Sequence, residues 1–391
     1  MHNTASSSRV RFTLPRQRLY YLAVFAPITL IARAAGAEPL VVFVLAAVSL
    51  IPLAKLIGDA TEELAHYTGP KLGGLLNATL GNAAELIITL FALREGLVDL
   101  VRASITGSIL GNLLLVLGLA LLMGGLKNGV QQFDRRTAGL NATLLVLAMV
   151  ALAIPSLFDR VLVERPESEL YFSEGVAVIL IVIYALSVAY SFMSGQAVGH
   201  TDHDAPVLTP GDPNTRPAAD LHGARWSRGF ALIVLAIATV GTAVVSEALV
   251  GAVEPVTLQL GLTEFFVGII IIPLVGNVAE HLAAVQVAIR NKMELSMAIS
   301  LGSSIQIALF VAPVLVFISL LFEDKLLLVF NEFELVALIG TAVIAAFIAQ
   351  DGESNWLEGV MLLGVYLIIA LGFFFLPAEI AHPVAGALAG H

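Results

Sequence analysis

The chain has 391 residues, of which 58% are hydrophobic and only 13% charged, with a formal net charge of −10 and a mean hydropathy of +0.92. A soluble domain carries about 25% charged residues, so this composition excludes an ordinary soluble fold and points to a polytopic membrane protein. The acidic balance argues against a nucleic-acid partner, and the absence of cysteine excludes disulfides, thiolate metal sites and cysteine nucleophiles.

Apolar runs of about 20 residues are the signature of spanning helices. Eleven such runs follow one another, near 19–34, 39–57, 71–93, 97–123, 138–158, 171–193, 228–252, 262–289, 294–321, 332–350 and 356–377. They are too long, and alternate too little, for strands of a membrane barrel. The predicted class is therefore an all-α polytopic membrane protein with eleven transmembrane helices. Arg9, Arg11, Arg16 and Arg18 precede the first run, and Ala35, Gly36 and Ala37 behind it resemble a signal-peptidase site. The run also fits a short spanning helix, and multispanning proteins usually retain the helix that directs export, so retention is expected.

Loop charge sets the orientation. With the N-terminus in the cytoplasm, Arg9, Arg11, Arg16, Arg18, Lys55, Lys71, Lys127, Arg135, Arg136, Arg216, Arg225, Arg228, Arg290 and Lys292 fall inside, and six of the 20 basic residues fall outside. The expectation is N-terminus inside and C-terminus outside. The one long polar segment, 195–227, is rich in Pro, Gly and Asp and reads as a cytoplasmic linker. Its His200, Asp202, His203 and Asp204 could gather a metal weakly, but ordering four groups on a polar loop is costly, and a solvated linker is expected.

The third and eighth runs share a motif. At an offset of 195 residues, Gly81 matches Gly276, Asn82 matches Asn277, Ala84 matches Ala279 and Glu85 matches Glu280. The register holds into the next run, where Gly107 and Ser108 meet Gly302 and Ser303. Upstream, Thr61 and Glu62 pair with Ser246 and Glu247 at an offset of 185, which gives the second half about ten extra loop residues at 253–262. The organisation is then 1–37 (tail and helix 1), 38–194 (first five-helix repeat), the linker, 228–377 (second repeat) and 378–391 (tail). Two successive five-span halves enter the membrane from opposite sides, which makes an inverted repeat of the kind many secondary transporters use.

A charge at the bilayer centre costs about 2.5–3.5 kcal/mol on insertion scales. Glu85 and Glu280 are therefore expected to face a polar cavity, each other or a cation. Asn82 and Glu85 lie three apart on one helical face, and Gly81 permits a local break and freed carbonyls. Inverted symmetry can bring the two runs face to face, placing two carboxylates, two Asn amides and carbonyls at the centre. Such an all-oxygen set suits Ca²⁺ better than Zn²⁺ or Cu²⁺, with Mg²⁺ disfavoured and Mn²⁺ left open. Two close, desolvated carboxylates cannot both stay ionised without a cation, so the pair holds protons or one divalent ion. That competition is the core of an antiporter.

Ser108 and Asn112 on the fourth run, with Ser303 and Gln306 on the ninth, are candidate walls of the cavity. Ser and Gly there also suit helix packing, and Gly107 and Gly302 fit either role. Glu62 and Glu247 are candidate pathway carboxylates on the two sides, against ordinary solvated acids, and Glu63 reads as the latter. His281, about 100° around the helix from Glu280, either tunes proton traffic or is a packed, hydrogen-bonded histidine.

At these residues the chain resembles a known group. "GNAAELI" and "GNVAEH", followed by "GSILGNLLLVLG" and "GSSIQIALFV", are similar to the cation/proton exchanger family of Ca²⁺/H⁺ antiporters, within the Ca²⁺:cation antiporter superfamily. The resemblance covers roughly 40–375. It implies helix 1 standing outside two inverted five-helix halves. The expected location is the cell (inner) membrane of a prokaryote. It implies that Glu85 and Glu280 bind Ca²⁺ or exchange protons, with Asn82, Asn277, Ser303 and Gln306 at matching motif positions. Ca²⁺ and protons are then cargo, and no cofactor is expected. Val278 departs from the commoner Ala. The linker lacks the dense acidic run frequent in the family, so linker regulation by Ca²⁺ is not carried over. Sodium-coupled relatives usually carry other residues where this chain has Gly-Asn, which favours proton coupling. An intramembrane hydrolase is disfavoured because G-x-G-D, H-E-x-x-H and G-x-S-x-G are absent. A channel would need no paired, inverted titratable sites.

Overall fold

Lipid offers no partner to an unpaired backbone group, so a chain this apolar must bond its backbone within helices or a closed barrel. It builds helices. In the computed structural model the described residues are 18–162, 166–194 and 225–377, without the side chains of 18, 69–75, 77, 78, 160, 162, 166, 192 and 194. The terminal tails and most of the linker, including His200 to Asp204, lie outside them.

A 3-10 turn, Arg18–Val24, leads into α1, Phe25–Ala34. The first half continues with α2 (Pro39–Leu80), α3 (Ala83–Arg94), α4 (Val98–Asn128), α5 (Arg135–Leu162) and α6 (Pro166–Ser194). The second half has α7 (Arg228–Val250), α8 (Val253–Leu260), α9 (Glu264–Gly276), α10 (Val278–Ile289), α11 (Met293–Ser319), α12 (Glu332–Asp351) and α13 (Trp356–Phe374). Among the described residues eight spans are long and apolar enough to cross a membrane, or nine with α9 and α10 counted as one span bent by 60°. The count of eleven is not reached on length and composition, because Leu19–Ala34 is a shorter apolar helix and α3 has 12 residues.

Two expectations are corrected. The second and third apolar runs imply a loop between 57 and 71, but α2 is helical through that stretch. Polar residues there end the apolar run without ending the helix, since Ala, Glu and Leu are strong helix formers. The supposed loop at 253–262 is mostly α8. A small feature is new: β1 (Gln131–Gln132) pairs antiparallel with β2 (Glu353–Ser354), tying the loop after α4 to the loop after α12. Beside it Asp134 accepts Thr137 Oγ1 at 2.7 Å and Arg136 N at 2.9 Å. The bond from Thr137 above all holds the Asp134 carboxyl below its usual range. Asn331 with Glu334, and Asn355 with Glu358, form capping boxes that start α12 and α13.

Around the shared motif the repeat keeps its register in the backbone. α3 and α10 begin and end at positions 195 apart, and α4 and α11 begin 195 apart. The turn after α3 has Gly96 at φ 78°, and its counterpart Asn291 has φ 61°; both are residue types that accept the left-handed region. Each long helix also contains a π-helical segment, Gly111–Val116 in α4 and Ile307–Val311 in α11, ending at equivalent positions.

The halves interlock at the centre. α2 and α3 pack on α7, and α4 crosses α9. At that crossing a Cβ on Gly107 would lie 1.9 Å from the Ile269 carbonyl oxygen, and one on Gly268 would lie 2.8 Å from the Leu100 carbonyl oxygen. Two glycines thus let the helix backbones touch, the device by which membrane helices approach closely.

Candidate functional site

Asn82 and Asn277 interrupt their spans. Their φ/ψ values are −95°/21° and −103°/5°, and each serves as N-cap residue of the half-helix that follows. Their carbonyls accept the first helical bonds, from Leu86 N at 3.0 Å and His281 N at 2.9 Å. Glu85 and Glu280 therefore occupy the first turns of α3 and α10, where the positive ends of two half-helix dipoles favour negative charge. The break expected at the glycine falls across Gly81 and Asn82 in the first half and at Asn277, just after Gly276, in the second.

Ser108 Oγ donates to Glu85 Oε1 at 2.7 Å, and the Asn277 amide donates to the same oxygen. One carboxylate of the first half is thus held by an amide of the second. Gly276 packs against it, since a Cβ there would come within 3.1 Å of Glu85 Cγ. The other side of the site forms a chain. Asn82 Nδ2 donates to Gln306 Oε1 at 2.8 Å, Ser303 Oγ donates to Asn82 Oδ1 at 3.3 Å, and Asn112 Nδ2 donates to Ser303 Oγ at 3.0 Å. Asn112 and Gln306 lie in and just before the two π segments, a position such distortions often take near functional sites.

Asn82, Asn112, Asn277, Ser108, Ser303, Gln306 and Glu85 are all buried, and Glu280 is half-buried. Glu280 and Glu85 are close enough to interact electrostatically, and Ser303 lies beside Glu280. Among the described residues, Oε2 of Glu85 and Oε2 of Glu280 are sealed from solvent without a hydrogen-bond partner. Two such oxygens are costly to leave unsatisfied, and a proton or a hard cation satisfies them. Among the described residues no cluster of three or more His, Asp or Glu could hold a metal. The site is thus a two-carboxylate set supplemented by amides and hydroxyls.

The remaining candidates lie apart or to one side. Gly81 sits half-buried in the turn before α3. His281 is buried, with Nε2 unpartnered among the described residues. Glu247 pairs with Arg33 of α1 at 3.3 Å, both partly exposed. Glu62 is half-buried on α2, near Tyr20. Glu63 is more than the ordinary solvated acid its sequence context suggests. Its Oε2 accepts Arg225 N at 2.8 Å and Trp226 N at 3.1 Å, fixing the lead into α7. Glu63→Ala should cost about 1–3 kcal/mol by stranding those donors, read as a lower melting temperature of the purified chain. An unchanged melting temperature would mean the anchor is idle.

Sequence reasoning passed over one buried group. Glu334 accepts Thr106 Oγ1 at 2.7 Å and Asn331 N at 2.9 Å, linking α4 to α12 near the Arg102–Asp99 ion pair. Its only sequence signal was the Asn-x-x-Glu spacing of a capping box.

The model of the family described as sodium/calcium exchanger protein matches residues 38–193 and 230–375, one segment for each half. A Ca²⁺/H⁺ antiporter of Synechocystis sp. is 45% identical over 362 residues, covering 91% of this chain and 96% of that protein. The Ca²⁺/H⁺ antiporter ChaA of Bacillus subtilis is 42% identical, covering 92% and 99%. The solved structure of native YfkE superposes with a TM-score of 0.77 at 40% identity, covering 92% of this chain and all of that one.

Proposed function

This chain belongs to the sodium/calcium exchanger protein family, and on that premise we propose that it is a Ca²⁺/H⁺ antiporter. It exports Ca²⁺ from the cytoplasm by alternating access, driven by proton influx, across the cell membrane of a prokaryote. Its N-terminus is cytoplasmic and its C-terminus outside. The observation that carries the reading is the cross-half bond from Asn277 to Glu85, with Glu280 near enough to share one charge balance. The Ca²⁺/H⁺ antiporter names of the two relatives support the choice of ions.

Glu85 and Glu280 are the exchanging groups. Facing the cytoplasm, the pair gives up protons and takes Ca²⁺ between its free oxygens. Facing outward, protons displace the ion. Neither carboxylate is left charged and unpaired in either half of the cycle, which avoids the cost of a bare buried charge. Asn82, Asn277, Ser108, Ser303, Asn112 and Gln306 orient the carboxylates or lend oxygens to the ion. Gly81 and Gly276 allow the close approach. Glu62 and Glu247 serve the pathways on the two sides, and His281 tunes proton traffic beside Glu280.

The test is transport by the purified chain in proteoliposomes with an imposed pH gradient and a panel of Ca²⁺, Mn²⁺, Na⁺ and K⁺. Ca²⁺ flux that follows the pH gradient and collapses with a protonophore is expected. Flux that requires Na⁺ or K⁺ and survives the protonophore would replace proton coupling with monovalent-cation coupling on the same fold.

A further inference from the structure

On the lipid-facing side of α5, far in sequence from the paired glutamates, lies an open furrow of about 680 Å³ bounded by α5, α6 and α12. It exists because its floor is small: Gly139, Ala142 and Ala151 of α5 and Ala346 of α12 fall short of the side chains around them. Two lining side chains are polar: Thr143, one turn from Gly139, donates to the Gly139 carbonyl at 2.8 Å, and Gln350 stands at the end of α12, so the remainder of the trough is apolar. From Gly139 to Ile154 it follows about 22 Å of helix. That exceeds the roughly 15 Å depth of one leaflet's hydrocarbon. A recess this size in a lipid phase is filled, since a bare apolar wall forfeits its dispersion contacts.

What fills it is indicated by its mouth. Arg135 and Arg136, both exposed, stand four and three residues before Gly139, at the membrane-surface end of α5. Among the described residues neither guanidinium has an ion-pair partner within 4.0 Å. Four acids lie nearby. Asp134 is occupied as the cap of α5, with its oxygens on Thr137 and Arg136 N, and it lies within electrostatic reach of the Arg136 guanidinium and of exposed Glu294, while Asp351 and Glu353 are exposed at the end of α12 and in β2. A guanidinium binds a phosphate through paired hydrogen bonds, and basic pockets between spans are a known setting for anionic headgroups. A second copy packed through this face about a parallel two-fold axis would bring its own arginines onto Arg135 and Arg136, a like-charge contact.

We propose that this furrow is a binding site for an anionic phospholipid, with an acyl chain along Gly139–Ile154 and the phosphate on Arg135 and Arg136. Native mass spectrometry of the detergent-purified full chain, offered phosphatidylglycerol or phosphatidylcholine, tests it. The wild type should retain phosphatidylglycerol in preference, by about fivefold for each arginine near an anionic surface. R135Q/R136Q, changed only at exposed positions, should lose the preference while keeping its melting temperature. Gly139→Leu places its Cβ where no atom lies within 4 Å, so it should fold, fill the furrow and reduce retention of both lipids. Equal retention of the two lipids by the wild type, or a preference unchanged in R135Q/R136Q, would overturn the proposal. Loss of an oligomer in Gly139→Leu without loss of lipid would assign the face to a second copy instead.

Discussion

Glu85→Gln and Glu280→Gln are each expected to abolish Ca²⁺ uptake driven by a pH gradient, with folding intact. The substitution is nearly isosteric. In Glu85→Gln the amide oxygen can still accept from Ser108 and Asn277, the two donors that hold the native Oε1. What disappears is the charge and the exchangeable proton together. Two unit charges 4 Å apart at an effective dielectric of 20 interact by about 4 kcal/mol, and a carboxylate with a divalent ion by about twice that, so losing one carboxylate reduces binding by at least about 10³-fold. Without that charge the remaining carboxylate cannot balance a divalent ion in an apolar surround. Uptake measured in proteoliposomes should therefore fall to background in both variants, and melting temperatures should stay near the wild type. Full transport in either would show that the pair is not the exchanging site.

Gly107→Ala should be the most destabilising single methyl that could be added at the crossing of α4 and α9. The new Cβ would sit 1.9 Å from the Ile269 carbonyl oxygen, 2.6 Å from its carbon and 2.8 Å from its Cα. These are backbone atoms, so no rotamer change relieves the clash, and the helices must separate. Overpacking typically costs about 1–3 kcal/mol, and the upper end, about 3 kcal/mol, is expected here. Separation also moves Ser108, the next residue, away from Glu85, so transport should fall with stability. Gly340→Ala is the matched control: no atom lies within 4 Å of its Cβ, and relief of glycine's entropy cost should leave it neutral or about 0.5–1 kcal/mol more stable. Equal melting temperatures for the two variants would mean that the crossing is looser than these contacts indicate.

Much of the centre was legible in the sequence because charge and amide are so rare in a span. Glu85, Asn82 and their counterparts announced themselves, and one offset of 195 residues carried the pairing. The same offset recovers features no residue identity reveals, such as Asn291 standing in the turn where the first half has Gly96. Other parts left no periodic trace. Residues 58–70 looked like a loop because they are polar, but polarity marks where a helix leaves the lipid rather than where it stops. Glu247 was matched to Glu62 by a short motif, while its ion pair with Arg33 joins residues 214 apart. Glu334 had no apolar pattern to betray its bond with Thr106. Long-range side-chain bonds arise from packing, and packing is fixed only once the helices have crossed.

The central claim is that protons and Ca²⁺ compete for one paired carboxylate site. The most direct measurement is the number of protons released when Ca²⁺ binds, by calorimetry of the purified chain in buffers of different ionisation enthalpy. Proton release by the wild type, lost in Glu85→Gln and in Glu280→Gln, is expected. Ca²⁺ binding that releases no protons, or release unchanged in both variants, would contradict it.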